Sequence, residues 1–164
     1  GNDKPDEAAS REYKKAAEDY LAKLGFENMR STYAQYYNGI TVINFAAVQD
    51  DVILYSDLVK VWVDRQTKQI VGMDARNYWF SHTRRDLPEP QVTEQEAREM
   101  ISSNLTVKSV ELALIPITPE TEKLCYEFKG TFSEDSYIVY INVLTGDEEQ
   151  IYRIIDSDQG QLVI

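Results

Sequence analysis

The sequence predicts an α+β protein made of two tandem copies of one small unit, each a helix packed on an antiparallel sheet. Three observations carry this. Each half opens with apolar residues at helical spacing and then changes to a period near two, which marks strands. A stretch of the first half returns in the second at a spacing of 78 residues. Between the halves, Leu87-Pro88-Glu89-Pro90 has prolines at alternate positions, which resist helix and central strand alike and read as a linker. The expected units are residues 1–87 and 88–164, each of a size that supports a modest core.

The first helix is expected from Asp6 to Leu24, with Tyr13, Ala16, Ala17, Tyr20, Leu21 and Leu24 on one face. Gly25 follows as a left-handed cap, and Phe26 can fold back onto the last turn. The second helix starts at Thr93-Glu94-Gln95-Glu96, a capping box, with Val92 and Ala97 as a weak staple. Ala97, Met100 and Ile101 make its expected buried stripe. In the first half, strands Arg30–Tyr37 and Ile40–Ala46 flank Asn38-Gly39, a pair suited to the two positive-φ positions of a type I′ turn. Lys60–Val63 and Gln69–Tyr78 form a second pair across Asp64–Lys68. The second half predicts strands at Ser109–Thr118, Lys123–Gly130, Tyr137–Asn142 and Glu149–Ile155, with Gln161–Ile164 as a short last one.

The repeat itself aligns Val61-Trp62-Val63-Asp64-Arg65-Gln66-Thr67-Lys68 on Val139-Tyr140-Ile141-Asn142-Val143-Leu144-Thr145-Gly146 without gaps. In both, an apolar strand runs into Asp or Asn, and Thr and a turn residue follow. Short polar side chains initiate such turns by bonding their own backbone.

Net charge is -11, and it is uneven. Residues 1–87 hold 13 acidic and 12 basic side chains, residues 88–164 hold 15 and 5. The second half repels phosphate backbones, which argues against a nucleic-acid partner, and it attracts basic protein surfaces. No apolar run approaches the ~20 residues of a membrane helix, so a soluble piece is expected. The chain starts at Gly1 without an initiator Met, which suggests a fragment or processed product.

Chemistry-bearing motifs are few. The one histidine, His82, lies in Ser81-His82-Thr83-Arg84-Arg85 with no nucleophile or orienting carboxylate legible beside it. Surface or inter-unit packing is the plainer reading. Arg84 and Arg85 can grip a carboxylate, or simply be solvated. Cys125 excludes an internal disulfide and reads as a buried, inert thiol. Asp156-Ser157-Asp158-Gln159-Gly160 begins like a calcium loop but lacks the third ligand and the distal Glu, so it reads as a polar turn. Asp50-Asp51 and Glu148-Glu149 are adjacent carboxylates that a strand points to opposite faces. No catalytic set, metal site or cofactor is expected. Asn104-Leu105-Thr106 matches a glycosylation sequon by chance. Tyr78-Trp79-Phe80 is the exception among the many aromatics, because three in succession cannot all face one core. Together Tyr78, Trp79, Phe80, His82, Arg84 and Arg85 form the expected interaction surface.

The chain resembles a pair of PepSY domains, and more specifically the C-terminal region of the YpeB family of spore-germination proteins. The residues that carry this are Leu21 to Phe26, Asn44-Phe45-Ala46 with Gln49, Val52 to Leu58, Lys60-Val61, Ile70 to Ala75, and His82 with Arg85. Further along they are Leu112 to Pro116, Leu124 to Phe128, and Tyr140-Ile141-Asn142 with Thr145-Gly146. Ser56 departs from the family pattern, which often has Pro there. The resemblance implies a non-catalytic protein of a Bacillus- or Clostridium-like spore. It implies an extracytoplasmic place between inner membrane and cortex, held by an N-terminal membrane segment outside this piece. It also implies a partner, the cortex-lytic hydrolase SleB, which such proteins stabilise and hold in check. An alternative is a module whose Tyr and Trp side chains contact cortex glycan. A homodimer is a further expectation, since strand edges invite pairing.

Overall fold

The structure, a computed structural model, describes residues 4–157 and 160–164. Helix α1 (Glu7–Lys23) forms as its apolar spacing predicts. Its N-cap Asp6 accepts from the Ala9 amide at 2.8 Å, a group without an intrahelical partner. At the other end Gly25 has φ +89°. The Gly25 amide bonds the Ala22 carbonyl and the Phe26 amide that of Leu21, a Schellman cap that turns Phe26 back onto the core. Tyr13, Ala17 and Leu21 are buried with Ile43, Phe45, Val59, Val61 and Val63.

The remaining elements are β1 (Met29–Tyr37), β2 (Ile40–Gln49), β3 (Val52–Asp64), β4 (Ile70–Asp74), α2 (Arg76–Ser81), α3 (Glu94–Glu99), β5 (Thr106–Thr118), β6 (Thr121–Phe132), β7 (Asp135–Asn142), β8 (Glu148–Ser157) and β9 (Gly160–Val163). Asn38 and Gly39 have φ of +50° and +74°, so the β1–β2 turn has the predicted handedness.

The expected architecture of two helix-on-sheet units is not what forms. Strand accounts for 53% of the described residues and helix for 18%. Strand neighbours follow the order β2-β1-β9-β8-β7-β6-β5-β3-β4, and β2 also pairs with β3, so pairing passes through eight strands and returns to its start. Two connections do this. Val52–Leu54 of β3 runs parallel to Leu112–Leu114 of β5, and Gly160 of β9 pairs with Gln35 of β1. The physical reason is the strand edge: separate hairpin sheets leave rows of unpaired backbone groups, and mutual pairing removes them. Helix α3 cannot balance α1, because it spans six residues and Met100 beyond it is 51% exposed.

Two local differences matter for the site. Only Lys60–Val63 was expected as strand, whereas β3 begins at Val52. The expected strand Gln69–Tyr78 stops at Asp74, whose Oδ1 accepts from the Arg76 amide at 3.0 Å and opens α2 instead. The calcium-like stretch includes Asp158 and Gln159, which lie outside the described residues.

Contacts gather the chain into two compact units, Gly1–Val48 with Ser56–Thr83 and Asp156–Leu162, and Gln49–Tyr55 with Arg84–Ile155 and Val163–Ile164. The first holds the α1 core described above. In the second, α3 starts with the full capping box at Thr93 and Glu96, and Ala97 is fully buried. Tyr126 hydroxyl donates to the Val92 carbonyl at 2.7 Å, fixing the approach to that helix.

The aligned octapeptides make the same turn. Asp64 Oδ1 accepts from the Gln66 and Thr67 amides, both at 2.9 Å, and Asn142 Oδ1 from Leu144 and Thr145 at 2.8 and 3.3 Å. Lys68 and Gly146 follow at φ +63° and +78°.

Candidate functional site

Six residues were singled out by the sequence, and they divide between the two units. Helix α2 carries Tyr78, Trp79 and Phe80 at successive 100° steps, so one ring can reach the core while the next two cannot. Tyr78 packs edge-on against Phe26, with centroids 5.0 Å apart. Its face stacks on the His82 imidazole at 4.3 Å and 17°. Burial, and then the nearby Asp57 carboxylate, push the Tyr78 phenol above its ordinary range. Trp79 is 67% exposed and Phe80 90%.

His82 has the orienting carboxylate that the sequence did not reveal. Its Nδ1 lies 2.8 Å from Oδ2 of Asp57, which is fully buried on β3. A signal existed: Asp57 shares strand parity with the buried Val59, Val61 and Val63, and a charge in that series requires a partner. The pair ties the end of α2 to β3 and fixes the two exposed rings on a rigid base.

In the second unit Arg84 forms an exposed ion pair with Asp50 at 3.0 Å. Arg85 is largely buried. Its guanidinium takes both oxygens of Glu122 at 3.1 Å. The Gln49 side chain clasps its backbone, with Nε2 donating to the carbonyl and Oε1 accepting from the amide, both at 2.8 Å. Arg85 is thus a bidentate structural tie.

The sequence also concealed a buried polar network in this unit. Glu127 is 1% exposed, and its Oε2 accepts from Tyr55 at 2.5 Å and Tyr140 at 2.6 Å. Lys129 Nζ stands 3.8 Å from its other oxygen. Burial, with the Glu127 charge second, drives both phenols far above the usual tyrosine range. The strand register explains the meeting, since Glu127 lies opposite Tyr140 on β7 and Glu111 on β5. Nearby Cys125 is buried, and desolvation pushes its thiol up to about 12, which leaves it a poor nucleophile. Among the described residues no group of three or more His, Cys, Asp or Glu side chains could hold a metal ion. No helix among them is long and apolar enough to cross a membrane.

Residues 5–88 match the family model for YpeB sporulation, PepSY1 and PepSY2 domains. The chain is 35% identical over 142 residues to sporulation protein YpeB of Halalkalibacterium halodurans, covering 87% of this chain and 32% of that protein. It is 32% identical over 141 residues to sporulation protein YpeB of Bacillus subtilis, covering 85% of this chain and 31% of that protein. It therefore spans about a third of these relatives' length. The solved C-terminal domain of Bacillus megaterium YpeB superposes with a TM-score of 0.81 at 28% identity, over 93% of this chain and 68% of that one. With the family model for its PepSY1 and PepSY2 domains matching residues 5–88, more than half of the chain, this chain belongs to the YpeB family of sporulation proteins.

Proposed function

We propose that this chain is a non-catalytic binding module that stabilises and restrains the cortex-lytic hydrolase SleB in the dormant spore until germination. The observation that carries the reading is α2: Trp79 and Phe80 stand 67% and 90% exposed on a helix whose third aromatic is locked against His82 and Phe26. Rigid exposed aromatics are the residue type that anchors protein interfaces. Membership of a sporulation family supports the setting, and placement between inner membrane and cortex, through an anchored full-length protein, belongs to the same proposal.

The arrangement also argues for binding over turnover. His82 has an orienting carboxylate, but its ring face is covered by Tyr78, and Cys125 is a protonated buried thiol. The test is to mix the purified chain with the hydrolase and measure association and residual lytic activity. Association with lowered activity, lost in a Trp79→Ala, Phe80→Ala double variant, is the expected result. Undiminished activity without association removes the reading for this chain. Retention on purified spore peptidoglycan that depends on Trp79 would favour the glycan-contact alternative instead.

A further inference from the structure

A cleft of about 230 Å³ opens in the first unit beside α1, β1 and β2. Its wall is a built feature. Ser31 pairs with Phe45 and Ala34 with Ile43, so Thr32 and Tyr33 bulge against the single residue Asn44. The bulge is held by Thr32 Oγ1 donating to the Asn44 carbonyl at 3.2 Å and by Asn44 Nδ2 donating to the Tyr33 carbonyl at 3.4 Å. Asn44 is 1% exposed. Bulges of this kind re-aim side chains next to sites.

The lining is unusual in its chemistry. Ser10, Tyr33, Tyr36 and Thr41 bring hydroxyls, Lys4 and Lys14 bring ammonium groups, and Asp156 adds one carboxylate. Thr41 is buried beneath the cleft and its hydroxyl has no hydrogen-bond partner among the described residues. Gly160 completes the wall by close approach, because a Cβ there would stand 2.5 Å from the Ala34 carbonyl oxygen. At about 230 Å³ the cleft is on the scale of one sugar ring.

Two cations select a negative charge, and clustered hydroxyls with phenol rings select a polyhydroxylated ring. We propose that this cleft binds a single acidic sugar residue, its carboxylate on Lys4 and Lys14 and its hydroxyls on Ser10, Tyr33, Tyr36 and Asp156. Lys14 is the discriminating residue, since it is held by an exposed 3.9 Å pair with Glu18, a kind of contact whose removal costs a fold little.

Amide NMR titration with glucuronic acid, glucose and acetate tests this. Glucuronic acid is expected to give saturable shifts at Thr32, Tyr33, Tyr36 and Thr41, with glucose and acetate each about tenfold weaker or more. Lys14→Ala should weaken glucuronic acid about tenfold and leave the glucose response unchanged. Tyr36→Phe should weaken both sugars and leave acetate unchanged. The proposal is overturned if glucuronic acid gives no saturable shift at these residues, if acetate binds as tightly, or if neither variant changes the titration.

Discussion

The imidazole of His82 and the carboxylate of Asp57 meet at 2.8 Å, one at the end of α2 and the other fully buried on β3. This contact holds the base from which Trp79 and Phe80 project. Removing one member of such a buried pair costs more than the pair contributes, because the remaining group stays desolvated. His82→Ala is therefore expected to lower stability by about 1–3 kcal/mol, measured by urea denaturation. Near-ultraviolet circular dichroism should show loss of the Tyr78 signal in the same variant.

Trp79 and Phe80 contribute in the opposite way. Exposed side chains away from caps and networks alter stability little, so the Trp79→Ala, Phe80→Ala double variant is expected to fold within about 0.5 kcal/mol of the wild type. Association with the hydrolase should nevertheless disappear. A matched loss of both stability and binding would show that the rings serve the fold.

Glu127 holds two phenols at once. Glu127→Ala leaves Tyr55 and Tyr140 hydroxyls buried without their acceptor, and is expected to cost about 2–4 kcal/mol, more than Tyr140→Phe alone. Chemical denaturation of the two variants makes the comparison.

The same network predicts alkaline behaviour. Tyr55 and Tyr140 have native pKa values raised above the unfolded value near 10. Above that value the unfolded chain loses these protons and the native chain keeps them. Their contribution is thus complete below pH ~10 and falls as pH rises, by about 1.4 kcal/mol per pH unit for each tyrosine. Ultraviolet difference absorbance should show these two phenols ionising only as the protein unfolds, while exposed tyrosines titrate normally.

The paired turns give a matched test. Asn142→Ala removes the acceptor of two backbone amides and is expected to cost about 1–2 kcal/mol. At the corresponding position, Asp64→Asn should preserve the turn and Asp64→Ala should lower the melting temperature. Backbone bonds from Thr67 and Gln66 hold the Asp64 carboxyl below its ordinary range. Its contribution is therefore present above the unfolded carboxylate range and disappears as pH falls through the native value. Thermal melts of Asp64→Asn and wild type should converge in acid.

Local chemistry was legible from the residues alone. Gly25, Thr93 with Glu96, Asn38-Gly39, and the Asp64 and Asn142 turns all act through atoms within a few residues, so their roles follow from side-chain shape and hydrogen-bonding capacity. The aromatic run Tyr78-Trp79-Phe80 was also readable as a mixture of inward and outward rings, although its helix was not. There a single Asp74 side chain captured the Arg76 amide and overrode an apolar pattern suited to a strand.

Long-range pairing was a matter for the tertiary structure. Nothing in the spacing of Val52–Leu54 names Leu112–Leu114 as its parallel neighbour, and nothing near Gly160 names Gln35. Strand partners are chosen by edges that must be satisfied somewhere, and many registers satisfy them locally. Sequence separations of 25, 72 and 36 residues likewise part Asp57 from His82, Tyr55 from Glu127, and Gln49 from Arg85. The sequence by itself determined the caps at Gly25 and Thr93 and the turns at Asn38-Gly39, Asp64 and Asn142, because those choices are settled by near neighbours. Only the folded chain decided which strands close the order and which buried charges meet, because those choices depend on all elements at once.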